Sequence, residues 1–232
     1  MSDLILKKKL ADFYKILSYH KIGDLTANHA SILSEDKKNF YTNQHSHLFE
    51  EITPNNLIKV NLFETKKEIL KKVNIAGYFI HRNIHLSKYE PQAILHTHSE
   101  NAVAISCLKN GFLTKLNQSS MRFFKRIKYF DYNGMVMDKK EGLKLQKLVD
   151  RDTKLIILKN HGIIIIANTI DELFHLTFHF EKCAEIQLKI DSRSSLVKVS
   201  DKIAKLTCNQ HQGFGKVGQM SWSAIKKKFK LS

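Results

Sequence analysis

Residues 155–166 read Leu155-Ile156-Ile157-Leu158-Lys159-Asn160-His161-Gly162-Ile163-Ile164-Ile165-Ile166. Two short apolar runs stand on either side of a polar Asn-His-Gly segment. Runs of this length and composition, separated by a turn sequence, predict two buried strands joined by a tight turn. His161 then lies at the end of a sheet, where turn side chains face clefts, and Gly162 permits the sharp bend.

Two more histidines follow another apolar run, Ala93-Ile94-Leu95. His96 and His98 are two positions apart, and on an extended segment such side chains point to the same face. This pair is a weak signal alone, because the chain holds 12 histidines. With His161 as a third donor, the set matches catalytic zinc sites, which have three protein ligands and an open position. The alternative for His161 is a hydrogen-bonded turn residue.

Outward from these motifs, hydrophobic periodicity predicts helices and strands in mixed order. Helices are expected at residues 3–20, 77–86, 99–109 and 141–149, and from Thr169 to about Leu188. Strands are expected at residues 30–33, 40–42, 57–63 and 127–132. The helix at Thr169 opens with a capping box, which gives Glu172 a structural explanation. This order predicts an α/β fold around a mixed, largely antiparallel sheet rather than a strict βαβ array.

The composition is that of one globular domain with a basic end. The chain has 232 residues, of which 43% are hydrophobic and 26% charged, and this suits a single well-buried core. The formal net charge of +16 favours anionic ligands of any kind. A domain is predicted at residues 1–195 and a basic C-terminal tail at residues 196–232. The tail has no nucleic-acid-binding motif, so a nucleic-acid partner is not expected.

Cysteine content and hydropathy predict a cytoplasmic protein. Cys107, Cys183 and Cys208 are odd in number and widely spaced, which argues against a disulfide framework. Cys107 and Cys183 have apolar neighbours and are predicted to be buried thiols. The chain has no apolar run of the roughly 18 residues that a membrane span needs. The first residues lack a signal-peptide pattern, so no membrane partner is expected.

Several motifs in one consistent order resemble the class II aldolase/adducin family. The two histidine motifs are His96-Thr97-His98-Ser99 and Leu158-Lys159-Asn160-His161-Gly162. Other stretches resemble the adducin-like branch of that family: Asn28-His29-Ala30-Ser31, residues 51–62, 76–81, 106–113, 132–134 and 181–187. The resemblance covers roughly residues 10–195.

This resemblance implies a three-layer α/β/α domain of the class II aldolase type, assembled as a homotetramer with sites at subunit interfaces. It implies Zn²⁺ or another divalent metal held by His96, His98 and His161. The implied substrate is a small anionic molecule, a sugar phosphate or a hydroxy-keto compound. The implied reaction is that of a lyase, an epimerase or a dehydratase, in which the metal stabilises an enediolate as a Lewis acid.

One departure from the aldolase pattern concerns proton transfer. The aldolase glutamate that serves as metal ligand or general base falls at Gly77, which has no side chain. Glycine at this place is common in the adducin-like branch. His81 and Tyr129 are then candidates for the catalytic proton-transfer role, which requires hydrogen-bond reach of the substrate. His81 is equally explained as a packed helix histidine.

A second departure concerns phosphate binding. Thr26 and Asn28 are retained as candidate phosphate-binding residues, together with backbone amides and local lysines. Asn74-Ile75-Ala76 replaces a serine pair of the aldolases. Asn28 is also explained as a residue that closes a turn.

Three functions compete on these grounds. The first is a metal-dependent lyase or related enzyme, which the three histidines favour. The second is a non-catalytic oligomerisation or binding module like the adducin head, which this chain resembles in sequence; the intact histidines of both motifs weigh against it. The third is a polyanion binder that uses the basic tail, and no specific motif supports it.

Overall fold

The strands form a single twisted sheet. The computed structural model describes residues 2–64, 66–190, 195–213 and 216–231. Within these ranges seven strands occur: β1 (His29–Leu33), β2 (Asn39–Thr42), β3 (Ile58–Asn61), β4 (Ala93–Thr97), β5 (Ile127–Phe130), β6 (Leu155–Leu158) and β7 (Gly162–Ala167). Their spatial order is β3-β2-β1-β4-β7-β6-β5. The β5–β6 pair is parallel and the other pairs are antiparallel, which confirms the mixed, largely antiparallel sheet.

Helices cover both faces of this sheet. In the described residues they are α1 (Asp3–Tyr19), α2 (Lys67–Leu70), α3 (Ile75–His85), α4 (Glu100–Ser106), α5 (Lys139–Leu148), α6 (Ile170–Lys189), α7 (Asp201–Gly213) and α8 (Gln219–Phe229). Short 3-10 turns lie at Phe49–Glu51 and Ser120–Phe123. The helix predicted at residues 99–109 ends earlier, at Ser106, and the strand predicted at 127–132 ends at Phe130.

The alternation of side chains along the strands explains the three layers. In β6, Leu155 and Ile157 belong to the core shared with α1 and α6. Ile156 and Leu158 belong to the core on the other face, with Ile80 and other residues of α3 and α5. Successive strand side chains point to opposite faces, so a strand that is apolar throughout must be covered on both sides. This confirms the predicted α/β/α architecture.

The predicted N-cap of α6 is confirmed. The Thr169 side chain accepts a hydrogen bond from the Glu172 backbone N–H at 3.0 Å. The Glu172 carboxylate accepts the N–H of Asn168 at 2.8 Å and pairs with Lys154 at 2.8 Å. Glu172 therefore has the structural role that its position in the sequence predicts.

The C-terminal region differs from the sequence expectation. The sequence predicts a basic tail over residues 196–232 and assigns no helix there. The structure instead places α7 and α8 in this region, and both pack back on the domain. Trp222 of α8 is 2% exposed and packs against Phe174 of α6 with ring centroids 5.7 Å apart. The lysines of this region are exposed except for the half-buried Lys226, and apolar residues between them pack on the domain. The polar stretch expected from about Asp191 begins in residues 191–194, outside the described residues.

The cysteines are unpaired, but one prediction about them is wrong. Cys183 and Cys208 are buried, whereas Cys107 is exposed. Cys107 caps the end of α4, so its apolar neighbours in sequence belong to the preceding buried turn and do not cover it. None of the described helices is both long and apolar enough to cross a membrane.

Candidate metal centre

Three histidine side chains converge at one end of the sheet. His96 lies near the end of β4, His98 follows that strand directly, and His161 lies in the turn between β6 and β7. The Nε2 atom of His98 is 2.8 Å from Nε2 of His96 and 2.9 Å from Nε2 of His161. The fold brings these residues together because β4 and β7 pair in register, with His96 opposite Ile164. The predicted set is therefore assembled in one place.

The hydrogen bonds of the Nδ1 atoms, which point away from the cluster, show which ring nitrogen of His96 and of His98 carries the proton. His96 Nδ1 is 2.9 Å from the Ile163 carbonyl oxygen, and His98 Nδ1 is 3.2 Å from the Asp24 carboxylate. A carbonyl oxygen and a carboxylate accept hydrogen bonds, so each Nδ1 carries the proton and donates it. The Nε2 atoms of His96 and His98 then present lone pairs, with no proton between them.

Convergent lone pairs repel one another unless a cation lies between them. A divalent metal ion is the species that this donor set fits, because neutral imidazole is the metal-binding form and an Nδ1–H bond to a carbonyl or carboxylate is the usual outer partner of a ligating histidine. The three residues are also the group whose ligand atoms all lie within 4.8 Å of one another among the described residues. The donor chemistry therefore fits the implied metal.

The electrostatic environment keeps the imidazoles of His96 and His161 neutral. Burial, followed by the neighbouring histidines His29, His98 and His161, holds the pKa of His96 well below its usual value. Burial and then His98 lower the pKa of His161 to about 4. At neutral pH both rings are therefore available as ligands without first losing a proton.

The Asn-His-Gly turn requires its glycine. Gly162 has φ of +154°, and a Cβ atom there would lie 2.6 Å from the carbonyl oxygen of Thr97. At Gly162 the main chain of β7 therefore lies so close to β4 that a Cβ atom has no room. The His161 N–H, 3.0 Å from the Leu158 oxygen and 3.1 Å from Ser106 Oγ, fixes the turn from the other side. This close approach sets His161 beside His98.

Asn28 and Thr26 lie in the loop beside His98. Asn28 is fully buried, and its Oδ1 accepts the His98 backbone N–H at 2.5 Å. Its Nδ2 is buried and has no hydrogen-bond partner among the described residues. Asn28 thus does more than close a turn, because it positions His98 and keeps one donor unused. Thr26 is half-buried two residues away, and phosphate binding by either residue stays a prediction.

The space at Gly77 is filled by a residue that the sequence did not single out. A Cβ atom on Gly77 would lie 2.7 Å from both Cδ2 and Nε2 of His29. The His29 ring packs against His96, with centroids 4.9 Å apart and planes inclined by 35°. Where an aldolase-type glutamate would extend from position 77, this chain therefore holds an imidazole from β1. The signal was present in Asn28-His29, but only the fold shows that the two positions share one space.

A chain of buried hydrogen bonds fixes the tautomer of His29. It starts at the Pro91 carbonyl, which accepts from His85 Nδ1 at 2.8 Å. His85 Nε2 therefore accepts from Ser31 Oγ at 2.7 Å, and Ser31 Oγ accepts from His81 Nδ1 at 2.6 Å. His81 Nε2 then accepts from His29 Nδ1 at 2.7 Å. Because each step has one direction, His29 Nε2 carries a lone pair, and no described residue hydrogen-bonds to it.

His81 and Tyr129 are not placed for direct contact with a ligand at the three histidines. His81 is 1% exposed, and both of its ring nitrogens are used by His29 and Ser31. It can act only through His29, as a positioning residue. Tyr129 lies on the edge strand β5, in register with Ile157 of β6. Three strand spacings, about 14 Å, separate β5 from β4, so Tyr129 does not reach a ligand of the same chain's histidines.

Comparison with known proteins decides the family. The model of the Class II Aldolase and Adducin N-terminal domain matches residues 8–188. The chain belongs to the class II aldolase and adducin family.

Relatives of this family resemble the chain over most of its length. A protein of Pseudomonas aeruginosa, provisionally named for aldolase class 2, is 28% identical over 94% of this chain and 86% of its own. An aldolase II superfamily protein from Pseudomonas syringae has a TM-score of 0.86 and 27% identity, covering 98% of this chain and 92% of that one.

An aldolase and an adducin are among the same matches. L-fuculose 1-phosphate aldolase from Glaciozyma antarctica has a TM-score of 0.75 and 26% identity, covering 90% of this chain and 82% of that one. Human beta-adducin is 24% identical over 95% of this chain, which spans only 30% of the adducin's length. Both an aldolase and an adducin are thus similar to this chain.

A cleft of about 590 Å³ opens beside His98 of this class II aldolase-type domain. Its wall includes Glu181 of α6, which accepts hydrogen bonds from Ser99 Oγ at 2.5 Å and Asn101 Nδ2 at 3.0 Å. Burial raises the pKa of Glu181. The sequence did not mark this carboxylate as functional, because its only signal was membership of the matching segment at residues 181–187.

Replacing Gly77 with alanine tests whether the His29 ring occupies the space beside Gly77. Alanine normally favours a helix over glycine by about 1 kcal/mol. Here its Cβ would overlap the His29 ring, so we expect the change to destabilise the chain by about 1–3 kcal/mol. In a His29→Ala background the overlap is gone, and the same change should be neutral or stabilising. Urea unfolding of the four proteins of this double-mutant cycle measures the coupling. A Gly77→Ala change that stabilises the otherwise unaltered chain contradicts the assignment.

Proposed function

We propose that the chain is a divalent-metal-dependent lyase of the class II aldolase type, with zinc as the ion, acting on a small sugar phosphate or hydroxy-keto compound. The observation that carries this proposal is the convergence of the Nε2 atoms of His96, His98 and His161, of which the first two present lone pairs. An adducin-type module without chemistry does not need three converging histidines, two of which direct their Nδ1 protons away from the centre. The aldolase among the similar structures supports the substrate class.

A metal bound at these histidines supplies Lewis-acid polarisation of a substrate oxygen. The chain's own residues supply the rest of the site. Asp24 and the Ile163 carbonyl orient the rings of His98 and His96. His29 Nε2 places an acceptor lone pair against Gly77, where an aldolase-type carboxylate would extend. The unused Nδ2 of Asn28 offers a donor to an anionic group.

The second candidate is a binding or oligomerisation module like the adducin head. The similarity to beta-adducin favours it, and so does the loss of a carboxylate at position 77. A homotetramer and a cytoplasmic location stay predictions under both functions.

Metal content and turnover separate the two candidates. We expect the purified chain to bind about one zinc ion per subunit, and the loaded protein to cleave L-fuculose 1-phosphate or a related ketose phosphate to an aldehyde and a three-carbon ketone phosphate. His47→Ala, a change in a histidine outside the cluster, is the matched control and should retain the metal. Stoichiometric metal without cleavage of any ketose phosphate supports the module, and a chain that binds no metal refutes the enzyme.

A further inference from the structure

A second cavity lies at the opposite end of the sheet from the three histidines. β7 starts at Gly162 beside His161 and ends at Ala167, about 15–20 Å away by strand rise. The cavity opens beyond that end and has a volume of about 610 Å³. Its charged lining residues are Lys9, Arg122, Arg126, Lys154, Asp171, Glu172 and Lys216. This surface is called the Arg122 pocket below.

The carboxylates of the Arg122 pocket are already neutralised. Asp171 pairs with Lys9 at 3.0 Å, and Glu172 pairs with Lys154 at 2.8 Å. The remaining cations, Arg122, Arg126 and Lys216, pair with no carboxylate of the described residues. The pocket therefore has three positive charges without a counter-charge.

Arg122 is the buried centre of this charge. Arg122 is only 6% exposed. Nε donates to the Ser119 carbonyl at 2.9 Å, and Nη1 donates to His175 Nε2 at 2.5 Å. Both acceptors are neutral, because burial lowers the pKa of His175 to about 4. A buried guanidinium without an anionic partner is rare, since taking it out of water is costly.

The third nitrogen of the Arg122 guanidinium, Nη2, has no hydrogen-bond partner among the described residues. It is nevertheless not among the atoms sealed from solvent without a partner. Arg122 lines the cavity, and Nη2 is the guanidinium nitrogen left available to a ligand there. A planar guanidinium donates two parallel hydrogen bonds to phosphate more readily than any other side chain.

We propose that the Arg122 pocket binds the phosphate group of a small phosphorylated compound. A phosphate monoester is a dianion at neutral pH, and it would offset the charges of Arg122, Arg126 and Lys216. The cavity has the size of small-molecule sites, and the side chains of Asn168, Gln212 and Gln219 can bind hydroxyl groups. This site is separate from the metal centre and does not depend on the proposed lyase activity.

The C-terminal helices complete this pocket. His211 and Gln212 come from α7, Lys216 and Val217 from the connection that follows, and Gln219 from α8. All of these residues lie outside the segment that matches the family, residues 8–188. The Arg122 pocket is therefore a feature that residues after the family domain add to it.

Phosphate titration of the full-length chain tests this site. The probe is inorganic phosphate at constant ionic strength, added to protein freed of metal by a chelator, with calorimetry and thermal unfolding as readouts. We expect saturable binding and a rise in Tm with phosphate, because a ligand of the native state stabilises it. Arg122→Gln should weaken the binding by about 10-fold or more, since a charge-assisted hydrogen bond is lost. Lys216→Gln, an exposed change that spares the fold, should weaken it by a smaller factor.

Two controls locate the binding. Lys205→Gln removes an exposed lysine of α7 outside the pocket and should leave the affinity unchanged. Asn28→Ala alters the predicted phosphate site beside the metal centre and should also leave it unchanged. Binding that Arg122→Gln and Lys216→Gln leave intact, binding that Asn28→Ala abolishes, or no saturable binding at all would each overturn the proposal. A failure of the lyase assay would leave these outcomes unaffected.

Discussion

Replacing His161 with alanine is expected to weaken zinc binding by more than about 100-fold. Loss of an outer-shell partner alone costs a metal site about 10–100-fold in affinity, and His161 supplies one of three direct donors. The fold should survive, because the hydrogen bonds of residue 161 that secure the turn come from its backbone N–H. Competition with a chromophoric chelator measures the affinity, and thermal unfolding without metal measures the stability.

Asp24→Asn provides a graded comparison for this result. It keeps all three imidazoles and weakens only the partner of His98 Nδ1, 3.2 Å away. We expect a loss of zinc affinity smaller than that of His161→Ala. If His161→Ala retains one zinc per subunit at unchanged affinity, the three histidines are not the metal site.

Replacing Trp222 with alanine is expected to destabilise the chain by about 3–5 kcal/mol, the range for a large aromatic residue removed from a core. Trp222 is 2% exposed and fills the contact between α8 and Phe174. A second contact joins α8 to α1, where Phe229 packs edge-on against Tyr19 with centroids 4.6 Å apart. A basic tail detached from the domain would show no such effect. Denaturant unfolding followed by circular dichroism measures the difference in free energy.

Two further variants separate packing from other effects of the change. The indole Nε1 of Trp222 is buried and has no hydrogen-bond partner in the part of the chain that the structure describes, so Trp222→Phe removes an unsatisfied donor and keeps an aromatic ring. We expect it to cost far less than Trp222→Ala. Met220→Ala changes a side chain of the same helix that is 83% exposed, and its effect should stay within about 0.5 kcal/mol. Equal, small effects of Trp222→Ala and Met220→Ala would contradict the packing of α8.

The sequence by itself determined the elements whose signals are local. The apolar runs of β4, β6 and β7 show strand length and composition, and the His96-Thr97-His98 spacing places two imidazoles on one face. The Asn160-His161-Gly162 turn follows from the need for a glycine at the bend. These features depend on residues within a few positions of one another, so periodicity and turn chemistry are sufficient. Their grouping into one site also followed from the resemblance of the ordered motifs to the family.

Only the tertiary structure decided the features that join distant segments. The His29 ring occupies the space above Gly77 because β1 packs against the N-terminal turn of α3, and no local pattern links these two positions. The direction of the hydrogen-bond chain from Pro91 to His29 depends on a carbonyl that the sequence cannot place. In the C-terminal region the lysines dominate the composition, while the packing of Trp222 and the unpaired charge of Arg122 depend on how α7 and α8 fold back. Burial and charge compensation are properties of the assembled surfaces, and for this reason the three candidate ligands could be predicted from sequence and their surroundings could not.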